Sequence, residues 1–213
     1  MFRVLCLIFG YAFGLIQTGY IYGKIVHKDI RQYGSGNSGT TNALRVLGKK
    51  AGLIVFLGDL LKAIVACTIV RLIADHSGLD ITLIYILYTG IGVVLGHNFP
   101  FYMNFKGGKG IAATSGVIIA IGDWRIIVVC LALFIAAVAI TRYVSLGSLL
   151  VVTAFIVMWL IFGQMGMLPL TGRALYESYI LVAIFVLMAY IRHKANIVRL
   201  IKGTENKLGQ KKE

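Results

Sequence analysis

Apolar runs of bilayer length, separated by loops that are alternately basic and nearly neutral, leave this chain few folds to choose from. A helix needs ~20 apolar residues to cross the hydrocarbon core. Runs near 3–23, 51–71, 81–97, 126–140, 144–162 and 179–191 approach or reach that length. Only 14% of the 213 residues are charged and 59% are hydrophobic, against roughly a quarter charged in a soluble domain. The expectation is an all-α integral membrane protein, one polytopic domain over 1–213. The run from Phe2 to Tyr22 is long for the apolar core of a signal peptide and has no convincing small-x-small cleavage site. It reads as a retained first span.

The net charge of +13 is not spread evenly. Lys24 to Lys50, His97 to Gly110 and Arg192 to Glu213 together hold 15 of the 21 basic residues. Basic residues on alternate loops are the positive-inside signature, so these three stretches are expected to share the cytoplasmic face. Nucleic-acid binding explains the charge less well, because basic and aromatic residues do not interleave on one soluble surface. If loop 97–110 and the tail share a face, an even number of crossings separates them. The short run 111–121 must then cross as well, as a thin or tilted helix. That makes seven transmembrane helices, with the N-terminus outside and the C-terminus cytoplasmic. Cys6, Cys67 and Cys130 lie in apolar runs and read as small buried hydrophobes. Trp124, Trp159 and the tyrosines read as interface aromatics.

Two glycine-rich loops interrupt this lipid-like chain. Gly34-Ser35-Gly36-Asn37-Ser38-Gly39-Thr40-Thr41-Asn42 is uncharged, rich in small hydroxyls, and runs into helix-compatible residues with Arg45 about one turn inside. Backbone N–H groups at such a loop, with the positive end of a helix behind them, form an anion grip. Thr40, Thr41 and Asn42 are expected at the cap. The plainer account is a flexible linker. Lys106-Gly107-Gly108-Lys109-Gly110 repeats the pattern with two added cations, beside His97 and Asn98. It is not a Walker A loop, since Gly110 stands where Ser or Thr would follow the lysine. The plainer account here is a lysine anchor for lipid headgroups. A third polar stretch begins at Arg192. On a helix, His193 and Asn196 share a face, as do Arg192, Asn196 and Arg199, while Ile197, Leu200 and Ile201 take the other side. Gly203 is a natural C-cap. Snorkelling side chains at the end of the last span are the plainer reading. Asp59 and Lys62, at i and i+3 inside the second span, are expected to form an internal ion pair that stabilises the bundle.

These motifs resemble the bacterial membrane glycerol-phosphate acyltransferases that take acyl phosphate as donor. Gly34 to Arg45 looks like the family's first cytoplasmic motif. Gly96-His97-Asn98-Phe99-Pro100 with Phe105 to Gly110 looks like the second, and Arg192 to Glu205 the third. Asp59-Leu60-Leu61-Lys62 is similar to its second-span pattern. Gln17-Thr18 departs from it, standing where members often carry a small residue and proline, which bears on helix shape more than on chemistry. The resemblance implies acyl transfer from acyl phosphate to glycerol 3-phosphate, yielding 1-acylglycerol 3-phosphate (lysophosphatidic acid) and phosphate, the first step of phospholipid synthesis. It implies a bacterial inner membrane with the site at the cytoplasmic face, membrane lipid as surroundings, no nucleic acid and no cofactor. Loose association with the enzymes that make acyl phosphate and with the next acyltransferase would fit.

On that reading, Ser35 is a catalytic residue and Gly36, Asn37, Ser38, Gly39, Thr40, Thr41 and Asn42 bind the donor phosphoryl beside it. Arg45, Lys106 and His193 act on glycerol 3-phosphate together with Asn196. His97, Gly107, Gly108, Lys109 and Gly110 complete substrate binding on the second loop, and Arg199 and Lys202 on the third. A His with Asp five positions later, the usual dyad for this acceptor, is absent: His97 has Tyr102 there, and His193 has Val198. Either the donor phosphate or His193 takes the hydroxyl proton. Metal chemistry of a phosphatidyl-alcohol transferase would need clustered aspartates, which the cytoplasmic loops lack, so no metal is expected. A transporter or flippase for an anionic lipid or metabolite is the alternative; it calls for polar groups reaching the outer face, where the loops here are thin and apolar.

Overall fold

The computed structural model describes residues 1–209. They are helical throughout, with no strand among them. Six helical segments are long and apolar enough to cross a membrane. A seventh apolar helix, Ile111–Ile121, has 11 residues, about 16 Å of rise, roughly half the ~30 Å core. The chain divides into two compact units, Met1–Ile121 and the part from Gly122 onward.

The first unit contains α1 (Phe2–Gly14), α2 (Thr18–Ile25), α3 (Thr40–Leu47), α4 (Lys49–His76), α5 (Thr82–Asn98) and α6 (Ile111–Ile121). Helix α1 lies along α5 in near backbone contact, because glycines line the seam from both sides. A Cβ on Gly10 would overlap the Thr89 carbonyl, and one on Gly14 the Val93 carbonyl. From the other helix, Gly92 would strike Leu7 and Gly96 would strike Tyr11. Gly10/Gly14 and Gly92/Gly96 are spaced i, i+4, the small-residue pattern that lets membrane helices approach closely without a hydrophobic drive. Helix α6 uses Gly116 in the same way against the Leu60 carbonyl of α4. Its C-terminal carbonyls, Ala120 and Ile121, accept from the Arg71 guanidinium. That side chain satisfies groups a short helix would otherwise leave open.

The expected first span is one uninterrupted run, but the helix breaks between α1 and α2. The carbonyls released there find donors elsewhere. Gly14 O accepts from Lys62 Nζ (3.3 Å) and Gln17 Nε2 (3.2 Å), Leu15 O from the Tyr102 hydroxyl (2.6 Å), and Ile16 O from Lys62 Nζ (2.6 Å). Non-helical backbone at membrane depth is stable only with such internal partners.

The second unit contains α7 (Trp124–Thr141), α8 (Val144–Gln164), α9 (Gly172–Arg192) and α10 (Lys194–Ile201). Its core is aromatic: Phe155 meets Trp159 and Phe185 edge to face at 5.6 and 6.2 Å between centroids. Trp159 corrects the interface reading. It is 0% exposed, and its Nε1 donates to the Ser178 hydroxyl at 2.9 Å. Trp124, at 70% exposed, stays on the surface. The expected single helix through the third motif is interrupted at His193, where α9 ends and α10 begins. Helix α10 stops at Gly203, whose φ is +67°. Thr204 N–H donates to the Arg199 carbonyl and Gly203 N–H to that of Leu200, the Schellman arrangement that favours glycine there.

Candidate functional site

The first glycine loop is shaped by one side chain. Asn42 is buried, and its amide donates to the carbonyls of Ile30 (2.8 Å), Tyr33 (3.1 Å) and Asn37 (2.9 Å), while its Oδ1 accepts from Ser35 N–H (2.9 Å). Its amide is taken up in folding the loop, so any effect on a ligand runs through loop shape. Asn37 Oδ1 accepts from Gly39 N–H at 2.9 Å. The N-cap of α3 is Gly39, and no side chain caps that helix. Thr40, Thr41 and Asn42, expected at the cap, fall in the first helical turn. The Thr40 hydroxyl is buried with no hydrogen-bond partner. Ser35, Gly36 and Arg45 are exposed. At the entrance to the loop Asp29 pairs with Arg31 at 2.8 Å and caps the turn Ile30–Gln32. The hydrogen bond from Arg31 holds the Asp29 carboxyl below its usual range and raises the guanidinium in turn.

The second loop rests on the C-terminus of α5. Gly107 N–H donates to the Asn98 carbonyl (3.1 Å) and Gly108 N–H to that of His97 (3.0 Å). Neither glycine has room for a side chain. A Cβ on Gly107 would overlap the His97 carbonyl, and one on Gly108 would overlap the His97 Nε2. Gly110 has φ +82° and leads directly into α6. Lys106 is exposed. The Asn98 side chain is buried beside Gly110, and neither its Nδ2 nor its Oδ1 has a partner.

The two loops meet. Asn37 Nδ2 donates to the Gly107 carbonyl at 3.2 Å. Below them lies Gln17, 1% exposed, which the sequence reading treated as a matter of helix shape. Its amide reaches the carbonyls of Gly96 (3.3 Å) and His97 (3.0 Å), and its Oε1 accepts from the Ser38 hydroxyl (3.3 Å). His97, expected to touch ligand, is 3% exposed, with Nδ1 3.0 Å from Lys62 Nζ. Asp59 and Lys62 are ion-paired at 2.9 Å, and the Thr18 hydroxyl donates to Asp59 at 3.1 Å. Gln17 and the Lys62–His97 contact are the features that sequence reasoning missed.

In the second unit, His193 is buried and its Nδ1 donates to the Ala189 carbonyl at 2.8 Å. A carbonyl only accepts, so this bond places a proton on Nδ1 and aims Nε2 the other way. Asn196 Nδ2, expected to bind acceptor, and Arg199 Nε, expected to complete substrate binding, both donate to Glu205, at 2.8 Å each. Glu205 is buried and holds α10 to the segment after it. Farther on, Leu208 and Arg142 exchange backbone N–H and side-chain bonds, with the Arg142 guanidinium on the Leu208 carbonyl. Lys202 is exposed.

A protein-family model described as glycerol-3-phosphate acyltransferase matches residues 4–203. A glycerol-3-phosphate acyltransferase of Clostridioides difficile (strain 630) is 43% identical over 99% of this chain and 97% of its own length. One from Thermoanaerobacter pseudethanolicus is 39% identical over 100% and 99%. Among solved structures, PlsY, an integral membrane glycerol 3-phosphate acyltransferase, in its glycerol 3-phosphate form superposes with a TM-score of 0.80. The identity there is 31%, covering 97% of this chain and 96% of that one. The lysophosphatidic acid form gives 0.77 at 32% identity, covering 97% and 95%.

Proposed function

The chain belongs to the glycerol-3-phosphate acyltransferase family, and on that premise we propose that it moves a fatty acyl group from acyl phosphate to glycerol 3-phosphate. The products are lysophosphatidic acid and inorganic phosphate. The observation that carries this reading is the Asn37–Gly107 hydrogen bond, which sets two glycine loops side by side in one unit. Each loop runs into a helix N-terminus, α3 and α6, and the second adds lysines. Such a pair is suited to two anions at once.

Acyl phosphate is a mixed anhydride with a good leaving group, so positioning and charge stabilisation can supply most of the catalysis. The acceptor hydroxyl oxygen attacks the acyl carbonyl carbon, the bond from that carbon to the phosphate oxygen breaks, and phosphate departs. The hydroxyl proton goes to the leaving phosphate or to His193. Ser35 to Thr41 are assigned to the donor phosphoryl, with Asn42 maintaining their conformation. Arg45 and Lys106 are assigned to glycerol 3-phosphate, as are His193 and Asn196, with Arg199 and Lys202 supporting them. The Gly107 and Gly108 N–H groups are taken up by the Asn98 and His97 carbonyls, so these glycines serve by letting the loop pack closely, while Lys109 and Gly110 lead the loop into the N-terminus of α6. Among the described residues no three His, Cys, Asp or Glu side chains come together. The groups assigned to the two anions are hydrogen-bond donors and cations, and turnover should survive a chelator. The accompanying topology puts the N-terminus outside a bacterial inner membrane and the C-terminus in the cytoplasm, with Ile111–Ile121 as a seventh, thin crossing.

The test uses purified full-length protein with labelled glycerol 3-phosphate, offered acyl phosphate, acyl-CoA or acyl carrier protein in separate reactions. Lysophosphatidate should form from acyl phosphate and persist with EDTA present. Product from a thioester alone would refute the donor assignment.

A further inference from the structure

Lys62 lies inside a bilayer-length helix, yet it does more than neutralise Asp59. Its ammonium is 2.9 Å from Asp59 Oδ1, 2.6 Å from the Ile16 carbonyl, 3.3 Å from the Gly14 carbonyl and 3.0 Å from His97 Nδ1. Asp59 Oδ1 lies 3.6 Å from the same Nδ1, so that edge of the ring is held between the ammonium and the carboxylate, with Nε2 on the far edge. That Nε2 edge faces Gly108, where even a Cβ would overlap it. The backbone carbonyl of the same histidine accepts from Gly108 N–H at 3.0 Å. The second glycine loop is therefore seated on His97, and His97 is seated on Lys62. The Thr18 hydroxyl closes the arrangement by donating to Asp59 from the first residue of α2. Lys62 thus touches the break in the first crossing with one set of bonds and the support of the loop with another. A salt bridge serving stability alone would need neither. Buried ion pairs are often no better for stability than apolar replacements, which makes the additional partners informative.

We propose that Asp59, Lys62 and His97 are positioning residues for acyl transfer, a buried strut that sets the placement of the Lys106–Gly110 loop relative to the break between α1 and α2. This rests on reading Lys106–Gly110 as an anion-binding loop. The strut touches no substrate; it acts through Gly108.

Three variants of the full-length protein in lipid nanodiscs test it, with thermal midpoint and steady-state kinetics measured for each. Asp59→Asn with Lys62→Gln removes both buried charges together, so no unbalanced charge remains. The Ile16 carbonyl loses the Lys62 ammonium, so the midpoint should fall by several degrees, while kcat/KM for glycerol 3-phosphate falls by ~10²-fold, the scale of a 1 Å misplacement. His97→Leu leaves the ion pair and the carbonyl contacts in place and should show the same fall. Adding His97→Leu to the double variant should cost little more, since both act along one path. Full activity in the double variant would overturn the proposal, as would multiplicative losses. If the double variant does not fold, His97→Leu decides alone: kcat/KM within about threefold of wild type overturns the strut. Lys106→Ala reports separately on the loop. An active Lys106→Ala enzyme refutes the anion-loop reading itself. An inactive one beside an active His97→Leu enzyme refutes only the strut.

Discussion

Replacing Gln17 with leucine tests whether the buried amide ties the first glycine loop to α5. The volumes are close, so no cavity opens; what changes is hydrogen bonding. The Ser38 hydroxyl loses its acceptor at 3.3 Å, and the Gly96 carbonyl loses a donor at 3.3 Å. Gly96 has no substitute along its own helix, because the residue four positions on is Pro100, which carries no N–H. Each buried group left without its partner costs roughly 1–3 kcal/mol, so about 3 kcal/mol is expected for the pair. For a chain of this length that should lower the midpoint of thermal unfolding by roughly 6–12 °C. The kinetic effect is smaller, because only the Ser38 bond reaches the first loop directly, and the His97 carbonyl, which loses Gln17 at 3.0 Å, keeps its Gly108 N–H donor. One hydrogen bond of about 1 kcal/mol corresponds to a roughly fivefold loss in kcat/KM. Differential scanning fluorimetry and donor-saturation kinetics on the same preparation give both numbers. A Gln17→Leu enzyme that melts with the wild type and turns over at its rate would refute the tie.

Gly14→Val should abolish recovery of monodisperse protein, since the new side chain must enter the Val93 carbonyl and Gly96 Cα of α5; Gly48→Ala, with open space around it but φ +89° and ψ −176°, should cost roughly 1–3 kcal/mol of backbone strain, read by thermal unfolding. Glu205→Ala leaves Asn196 and Arg199 without their shared acceptor, so stability should fall by about 2 kcal/mol and the acceptor KM should rise more than kcat falls; an unchanged KM would detach this cluster from acceptor use. Asp29 is a carboxylate whose pKa is lowered on folding by the Arg31 hydrogen bond. Its contribution is therefore complete above the usual carboxylate range of about 4 and fades as pH falls below it. The difference in midpoint between wild type and Asp29→Asn should accordingly shrink from pH 7 toward pH 3, measured at constant ionic strength.

The long helices were legible because a membrane span needs only length and hydrophobicity, and both are local properties. The two glycine loops were legible as polar breaks beside helix starts for a related reason: three glycines among small hydroxyls, or three among two lysines, stand out locally in an apolar chain. The break at Leu15 to Gln17 was marked only by the polar pair Gln17-Thr18, which bears on helix shape without fixing a break, since most of its stabilising donors lie on Lys62 and Tyr102. Lys62 read as a partner for Asp59 because three residues separate them; His97 lies 35 positions away, beyond any periodicity. Thr40 to Asn42 looked like capping residues by composition, but Gly39 takes the cap and Asn42 turns back into the loop. Trp159 looked interfacial because tryptophan in a membrane chain usually is; a buried serine one helix away met its N–H instead.

The break in the first crossing also bears on how the protein is assembled. When residues 1–25 first enter the bilayer, Lys62 and Tyr102 have not yet been delivered, and a bend would turn bare carbonyls toward hydrocarbon. The lower-energy state of that early segment is a single straight rod. On this ground the two helices are expected only once the chain through Tyr102 is in place, and a ribosome-bound fragment ending before Asp59 should still carry the unbent form.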